Sequence, residues 1–215
     1  MSIFLHEFLE LALIHFLAVV VPGPDFAVTV RQSTSFGRKA GIYTAIGIGA
    51  GISVHVIYTL IGIGTIMHAL PWLLNTVRLI GGVYLFYLGV CFMRKKADTS
   101  VIAENQGDNS GVLINKSLSR SLITGFVTNA TNPKATLFFL AIFTTVVSSK
   151  TPMSIQIFYG FWMCAVNALW FVFVSLIFSS MAVRNRFVSY GHWIERIMGL
   201  LLIFFSVRLL FWWDN

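Results

Sequence analysis

Six long apolar segments run along the chain, separated by short polar gaps and one long polar linker. A transmembrane helix needs about 20 mostly apolar residues, and each segment reaches that length. The pattern therefore predicts an all-α membrane protein with six transmembrane helices in a single transmembrane domain. The predicted helices lie near residues 3–31, 41–66, 70–92, 119–147, 153–181 and 192–213.

The polar linker runs from Arg94 to Arg120 and divides the chain into two halves of three helices. We place the first half at 1–93, the cytoplasmic linker at 94–119 and the second half at 120–215. Because each half has an odd number of helices, the two halves enter the membrane from opposite sides. If they are repeats, they are inverted repeats, an architecture typical of secondary transporters.

Basic residues concentrate in alternate gaps between the apolar segments. Lysine and arginine mark the cytoplasmic side of a membrane protein. The first, third and fifth gaps are therefore predicted inside the cell and both termini outside, unless the first helix enters the membrane without crossing it. The basic residues in these gaps are Arg31, Arg38, Lys39, Arg94, Lys95, Lys96, Lys116, Arg120, Arg184 and Arg186.

The composition agrees with a membrane location. The chain is 57% hydrophobic and 11% charged, with a mean hydropathy of +0.81, whereas soluble domains carry about 25% charged residues. The net charge of +7 lies in gaps that face anionic lipid, so it does not indicate nucleic-acid binding. Glu7 and Glu10 replace the positive start of a signal peptide, which predicts a retained first helix.

The first apolar segment is interrupted by "VPGPDF", which contains Pro22, Gly23, Pro24 and Asp25. Each proline removes a backbone donor and clashes with the preceding helical turn. Freed backbone groups inside a membrane are tolerated only where protein buries them or where they line a wet cavity. The motif therefore predicts a broken first helix beside a cavity.

The fourth segment is interrupted in the same way by "NATNPK", which contains Asn129, Asn132, Pro133 and Lys134. Both interrupted helices are the first of their halves. Matched interruptions of this kind are the best indication from sequence of a transporter's substrate site. The asparagines, with Thr131, would either bind substrate or satisfy the broken backbone.

Asp25 and Lys134 are charges inside predicted spans, where an unpaired charge costs roughly 2.5–3.5 kcal/mol. One hypothesis is that they pair with each other. The alternative is that they hold the two ends of a zwitterion, with Asp25 binding an ammonium and Lys134 a carboxylate. Asp25 also lies where it would cap the restarted helix, which is compatible with either hypothesis.

Four further polar or aromatic residues lie within predicted spans. His15 and His55 are either proton relays or polar residues hydrogen-bonded between helices. Asn167 and Trp170 are three residues apart on one helix and are candidates to line the cavity. No paired histidine motif is present, so neither a metal site nor a cofactor is expected.

Glycine pairs at four-residue spacing occur at Gly47 and Gly51 and at Gly37 and Gly41. Such spacing allows close packing of membrane helices. These surfaces would serve either a homodimer or contacts within one subunit.

Together, "VPGPDF", "FGRKAG" and "GFVTNATNPKATLFF" resemble the LysE/RhtB family of bacterial amino-acid exporters, across essentially the whole chain. The Asp after "PGP" and His15 before it are similar to the RhtB, threonine-exporter branch. The resemblance implies a multi-pass inner-membrane exporter of amino acids or their derivatives, driven by the proton gradient. The family's motif residues correspond here to Pro22, Gly23, Pro24, Asp25, Asn129, Asn132, Pro133 and Lys134.

The resemblance thus implies proton-coupled antiport, and the expected substrates are neutral amino acids such as threonine, homoserine or small hydrophobic residues. A lysine-like substrate would need a second acid at membrane depth, and Asp25 is the only clear one. The alternatives are a metal-ion or other small-solute transporter, a channel and, last, an intramembrane enzyme. An enzyme would need a nucleophile and base or a metal motif within the spans, and none is visible.

Overall fold

The structure is a computed structural model that describes residues 2–69, 71–94, 117–148, 150–178, 180, 193, 196–207 and 210. This part of the chain is all α-helical, as predicted, with eight helices. Linker residues 95–116 and the basic residues Arg184 and Arg186 lie outside it. The helices are α1 (Ser2–Val20), α2 (Pro24–Phe36), α3 (Arg38–Ala69), α4 (Pro71–Arg94), α5 (Leu118–Ala130), α6 (Pro133–Thr145), α7 (Met153–Phe178) and α8 (Arg196–Val207).

Among the described residues, two helical stretches are long and apolar enough to cross a membrane by themselves. They are Arg38–Gly62 in α3 and the whole of α7. The bent pair formed by α1 and α2 gives a third candidate span, and the other apolar helices are shorter. The chain therefore has the helices of a multi-pass membrane protein, whereas six spans in two inverted repeats stay a prediction.

The first predicted break is present between α1 and α2, which meet at an angle of 53°. α1 ends at Val20, Gly23 is extended, and α2 starts with Pro24 in its first turn. This position suits proline, because the first N–H groups of a helix have no partner within the helix. α2 ends at Phe36, and the next residue, Gly37, has a φ of 84°, which favours glycine at the junction with α3.

The second predicted break separates α5 from α6. α5 ends at Ala130, and α6 starts with Pro133 in its first turn. The side-chain oxygen of Asn132 accepts a hydrogen bond from the backbone N–H of Lys134 at 3.0 Å. Asn132 is therefore the cap of α6, so one of the two asparagines satisfies the broken backbone.

Helix α3 is the centre of the bundle and packs against α2, α5 and α7. A Cβ atom added to Gly47 would run into the backbone carbonyl of Leu122 on α5, and one added to Gly51 would meet Asn129 at 2.8 Å. From the α5 side, Gly125 lies against the backbone carbonyl of Thr44. The predicted close packing at Gly47 and Gly51 is therefore confirmed within the subunit, whereas Gly37 of the second predicted pair has nothing within 4 Å of an added Cβ.

Two apolar clusters hold the helices together. The larger cluster joins α1, α3, α4, α6, α7 and α8 around residues such as Leu11, Ile142 and Met163. The smaller one joins α2, α3 and α7 around Phe26 and Phe171. The two breaks lie where these clusters meet, because residues of both clusters line the cavity described below.

The contact between α3 and α5 predicts a steric cost for Gly125→Ala. The added methyl group would meet the Thr44 carbonyl, so the two helices would have to separate, at about 1–3 kcal/mol. We expect a lower melting temperature of the purified protein in detergent. Gly62→Ala on α3 is the matched control, because nothing lies within 4 Å of its added Cβ, and alanine is the better helix former. Equal melting temperatures for the two variants would contradict the packing argument.

Candidate functional site

A cavity lies at the crossing of the two helix breaks. Its volume is about 50 Å³, which is enough for a few water molecules. Both breaks contribute to its wall, together with apolar side chains of α2, α6 and α7. The sequence-predicted site residues that line it are His15, Gly23, Pro24, Asp25, Asn129, Asn132, Lys134 and Asn167.

Asp25 is half-buried in the first turn of α2. Its Oδ2 atom accepts hydrogen bonds from the side-chain amides of Asn129, at 3.0 Å, and Asn132, at 3.3 Å. Its other oxygen, Oδ1, is buried and has no hydrogen-bond partner among the described residues. The same is true of Asn129 Oδ1. Two residues of the cavity lining therefore each have a buried oxygen acceptor without a hydrogen-bond partner among the described residues.

Lys134 is half-buried at the start of α6. Its ammonium donates to the backbone carbonyl of Ala18, in the last turn of α1, at 3.5 Å. The negative end of a helix dipole lies at that turn, which favours a cation. The ammonium also lies 5.0 Å from the ring centre of Phe92 on α4 and interacts electrostatically with Asp25.

The contacts between the two breaks are therefore reciprocal. The acid of the first break is held by amides that flank the second break, on α5 and at the cap of α6. The cation of the second break reaches back to the last turn of α1. Each break thus supplies the polar partners of the other one, within a wall that is otherwise largely apolar.

His55 lies on α3 behind the second break and is fully buried. Its Nε2 atom donates to the backbone carbonyl of Asn129 at 2.9 Å. Its Nδ1 atom is 3.0 Å from the hydroxyl of Tyr58, which is also 3.2 Å from the carbonyl of Thr136. A hydrogen-bonded chain therefore connects the broken backbone of α5 to Tyr58, next to the exposed side of α3.

His15 and Asn167 form a buried pair between α1 and α7. The side-chain nitrogen of Asn167 is 2.9 Å from Nε2 of His15. The aromatic rings of Phe138, Phe139 and Trp162 surround the histidine, with centres 5.7–6.1 Å away. Both members of the pair line the cavity, so this polar contact belongs to its wall.

Besides His55, four sequence candidates lie outside the cavity lining formed by described residues. Trp170 stacks edge-on against Phe16 of α1. Pro22 lies within the first break and Pro133 opens α6, so their contribution is to the backbone. Thr131 is exposed and donates to the carbonyl of Val127 in its own helix.

The sequence analysis did not identify three groups that the structure places in polar networks. The Ala18 carbonyl and the Tyr58 hydroxyl contact predicted site residues. Glu7 is buried, and its carboxylate accepts hydrogen bonds from the backbone N–H of Ser148 and the hydroxyl of Thr151. A glutamate amid apolar residues was the only indication, and its partners are more than 140 positions away in the chain.

Comparisons with known proteins agree with these features. A family model described as LysE type translocator matches residues 16–212. The chain is 30% identical to a threonine efflux protein of Escherichia coli (strain K12), over 94% of this chain and 97% of the relative. A threonine efflux protein of Salmonella typhi is 28% identical, with the same coverage. An uncharacterized membrane protein of Escherichia coli, YahN, is 26% identical over 88% of this chain and 82% of its own. No solved structure matches the chain.

The electrostatic contact between Asp25 and Lys134 predicts non-additive effects of mutation. Asp25→Asn leaves the ammonium without its opposing charge, and Lys134→Met does the same to the carboxylate, so each variant should lose stability. The double variant removes both charges and should lose less than the sum, with a coupling of about 1–3 kcal/mol. Thermal unfolding of the four proteins in detergent measures this coupling. Strict additivity would show that the two charges are energetically independent.

Proposed function

The chain belongs to the LysE-type translocator family, and we propose that it exports neutral amino acids across the bacterial inner membrane in exchange for protons. Relatives that share about 30% identity over nearly the whole chain are named threonine efflux proteins. The observation that carries the proposal is that one cavity is lined by Asp25 and Asn129, which each have an acceptor oxygen without a partner, and by Lys134, which has an ammonium group. An α-amino acid is a zwitterion, and it presents the two complementary charges.

The substrate's ammonium binds Asp25 Oδ1 and Asn129 Oδ1 in this proposal. Asp25 Oδ1 is a carboxylate oxygen and therefore an acceptor. Asn129 Oδ1 is the amide oxygen, because the nitrogen of the same amide donates to Asp25. The substrate's carboxylate binds the Lys134 ammonium, next to the start of α6, where the helix dipole is positive. A half-helix start that faces an anionic substrate group is a recurrent device in transporters.

Neutral amino acids fit this wall better than basic ones. Asp25 is the one acidic residue among the described residues that line the cavity. It is engaged by the substrate's α-ammonium in our proposal, so a second ammonium would be buried without an opposing charge. Such burial is costly in a medium of low polarity.

Proton coupling would operate through Asp25. A proton that enters from outside neutralises the carboxylate and weakens its attraction for the substrate's ammonium and for Lys134. His55 is a candidate relay, because it interacts electrostatically with Asp25 and hydrogen-bonds the backbone of Asn129. Its other ring nitrogen lies 3.0 Å from the Tyr58 hydroxyl, next to the exposed side of α3.

Alternating access would arise from two inverted repeats that move relative to each other. The matched breaks support this proposal, because each restarted helix begins with proline and places a charged residue next. The cavity lies between the two breaks, so relative motion of the repeats would widen or narrow the space for substrate.

Export from proteoliposomes tests the function directly. Vesicles that contain the protein are loaded with a mixture of labelled amino acids, and their loss is followed with and without an imposed proton gradient. We expect gradient-dependent loss of a few neutral species and retention of lysine and arginine. Loss of amino acids at the same rate with and without the gradient would indicate a channel. Retention of every amino acid would contradict amino-acid export.

Asp25→Asn should abolish the stimulation of export by the gradient, because the amide neither carries a charge nor binds a proton. The ratio of export with the gradient to export without it should fall to about 1. Glu10→Gln is the control, since it removes a carboxylate from α1 outside the cavity lining and should keep the wild-type ratio. If the Asp25 variant keeps its gradient stimulation, another group carries the proton.

A further inference from the structure

His15 lies on α1 in the wall of the cavity, before the first break. It lies three residues, about 4.5 Å along the helix axis, before Ala18, whose carbonyl accepts a hydrogen bond from Lys134. Its side chain is buried and lines the cavity. A group that His15 contacts is therefore displaced along α1 from the contact between Lys134 and Ala18.

The contact with Asn167 fixes which ring nitrogen of His15 carries a proton. The side-chain nitrogen of Asn167 also lies 3.4 Å from the carbonyl of Met163, which can only accept a hydrogen bond. That atom is therefore the amide nitrogen, a donor, and Nε2 of His15 must be the acceptor. A neutral imidazole then carries its single proton on Nδ1. A second proton on Nε2 would place two donors against each other.

The Nδ1–H group that results is buried and has no hydrogen-bond partner among the described residues. The aromatic rings packed around His15, those of Phe138, Phe139 and Trp162, provide no oxygen acceptor. An unsatisfied buried donor costs free energy, and native proteins keep few of them. A donor in the wall of a binding cavity is a common exception, because a ligand satisfies it.

We propose that His15 is a specificity-determining residue, whose Nδ1–H donates to an oxygen atom in the side chain of the exported amino acid. Asn167 is a positioning residue that holds the histidine in the required tautomer. This inference rests on the proposed function, in which Asp25, Asn129 and Lys134 bind the α-amino and α-carboxyl groups. The Nδ1–H of His15, which has no hydrogen-bond partner among the described residues, is then the donor assigned to the substrate's side chain.

The substrate class that follows is a neutral amino acid with a short side chain that bears a hydroxyl or carbonyl oxygen. The rings of Phe138 and Phe139 also line the cavity and would contact its methyl or methylene groups. An apolar side chain of the same shape would enter the same space but leave the donor unsatisfied. A site built to hydrogen-bond a substrate discriminates strongly against the analogue that lacks the partner atom.

Threonine and valine are the probes, because they have nearly the same shape and differ by a hydroxyl in place of a methyl group. The measurement is the initial rate of export of each amino acid from proteoliposomes, at several internal concentrations. We expect the wild-type protein to prefer threonine by about tenfold or more. His15→Phe keeps an aromatic ring without a donor and should bring the ratio towards 1, by slowing threonine export and retaining valine export.

His15→Asn and His6→Phe complete the test. Asparagine places an N–H group near the position of Nδ1, so it should keep part of the threonine preference. His6 is exposed on α1, and its replacement should keep all of it. Equal threonine-to-valine ratios in the wild-type and His15→Phe proteins, or a parallel loss of both rates, would overturn the inference.

A wild-type protein that exports amino acids without preferring threonine to valine would overturn this inference alone. A wild-type protein that exports no amino acid would overturn the proposed function and this inference together. The two failures are therefore distinguishable in the same assay.

Discussion

The reciprocal contact between the two helix breaks is the constraint on which the rest of this structure depends. A charge at membrane depth without a partner costs roughly 2.5–3.5 kcal/mol, and a freed backbone group in hydrocarbon costs several more. Each break creates both kinds of cost. The amides beside the second break bind Asp25, and the last turn of α1 binds Lys134. Neither broken helix satisfies its polar groups alone, so the two have to cross in the bundle.

The close packing of α3 against α5 sets the geometry of that crossing. Gly47 and Gly125 let the two backbones approach, because neither helix has a side chain at the contact. Gly51 then leaves the space that Asn129 occupies, and His55, one turn later on α3, binds the Asn129 carbonyl. The glycine spacing in the sequence therefore allows α3 and α5 to pack closely, and this close packing places the Asn129 amide against Asp25. The scaffold and the site are therefore specified by the same helix face.

The sequence was informative where a residue's own chemistry determines local structure. Proline lacks a backbone donor, so both breaks could be predicted, and glycine spacing predicted the α3 face. Partners distant in the chain could not be predicted, because they depend on tertiary packing. The Ala18 carbonyl is a backbone group with no signature in the sequence, and Glu7 binds Thr151 across 144 positions.

The position of Trp170 shows a further limit of the prediction from sequence. Three residues correspond to 300° around a helix, so Trp170 is rotated about 60° from Asn167, and it packs against Phe16 outside the cavity.

The same constraint connects substrate binding to opening under the proposed function. Separating the two breaks to admit substrate would remove the contacts that Asp25 and Lys134 make across them. Water or a neutral solute would replace those contacts only weakly in an apolar surrounding. A zwitterion supplies an ammonium to the acid and a carboxylate to the cation at the same moment. Only a ligand with both charges therefore compensates the full cost of separating the breaks, so selection for amino acids follows from the cost of opening as well as from the shape of the site.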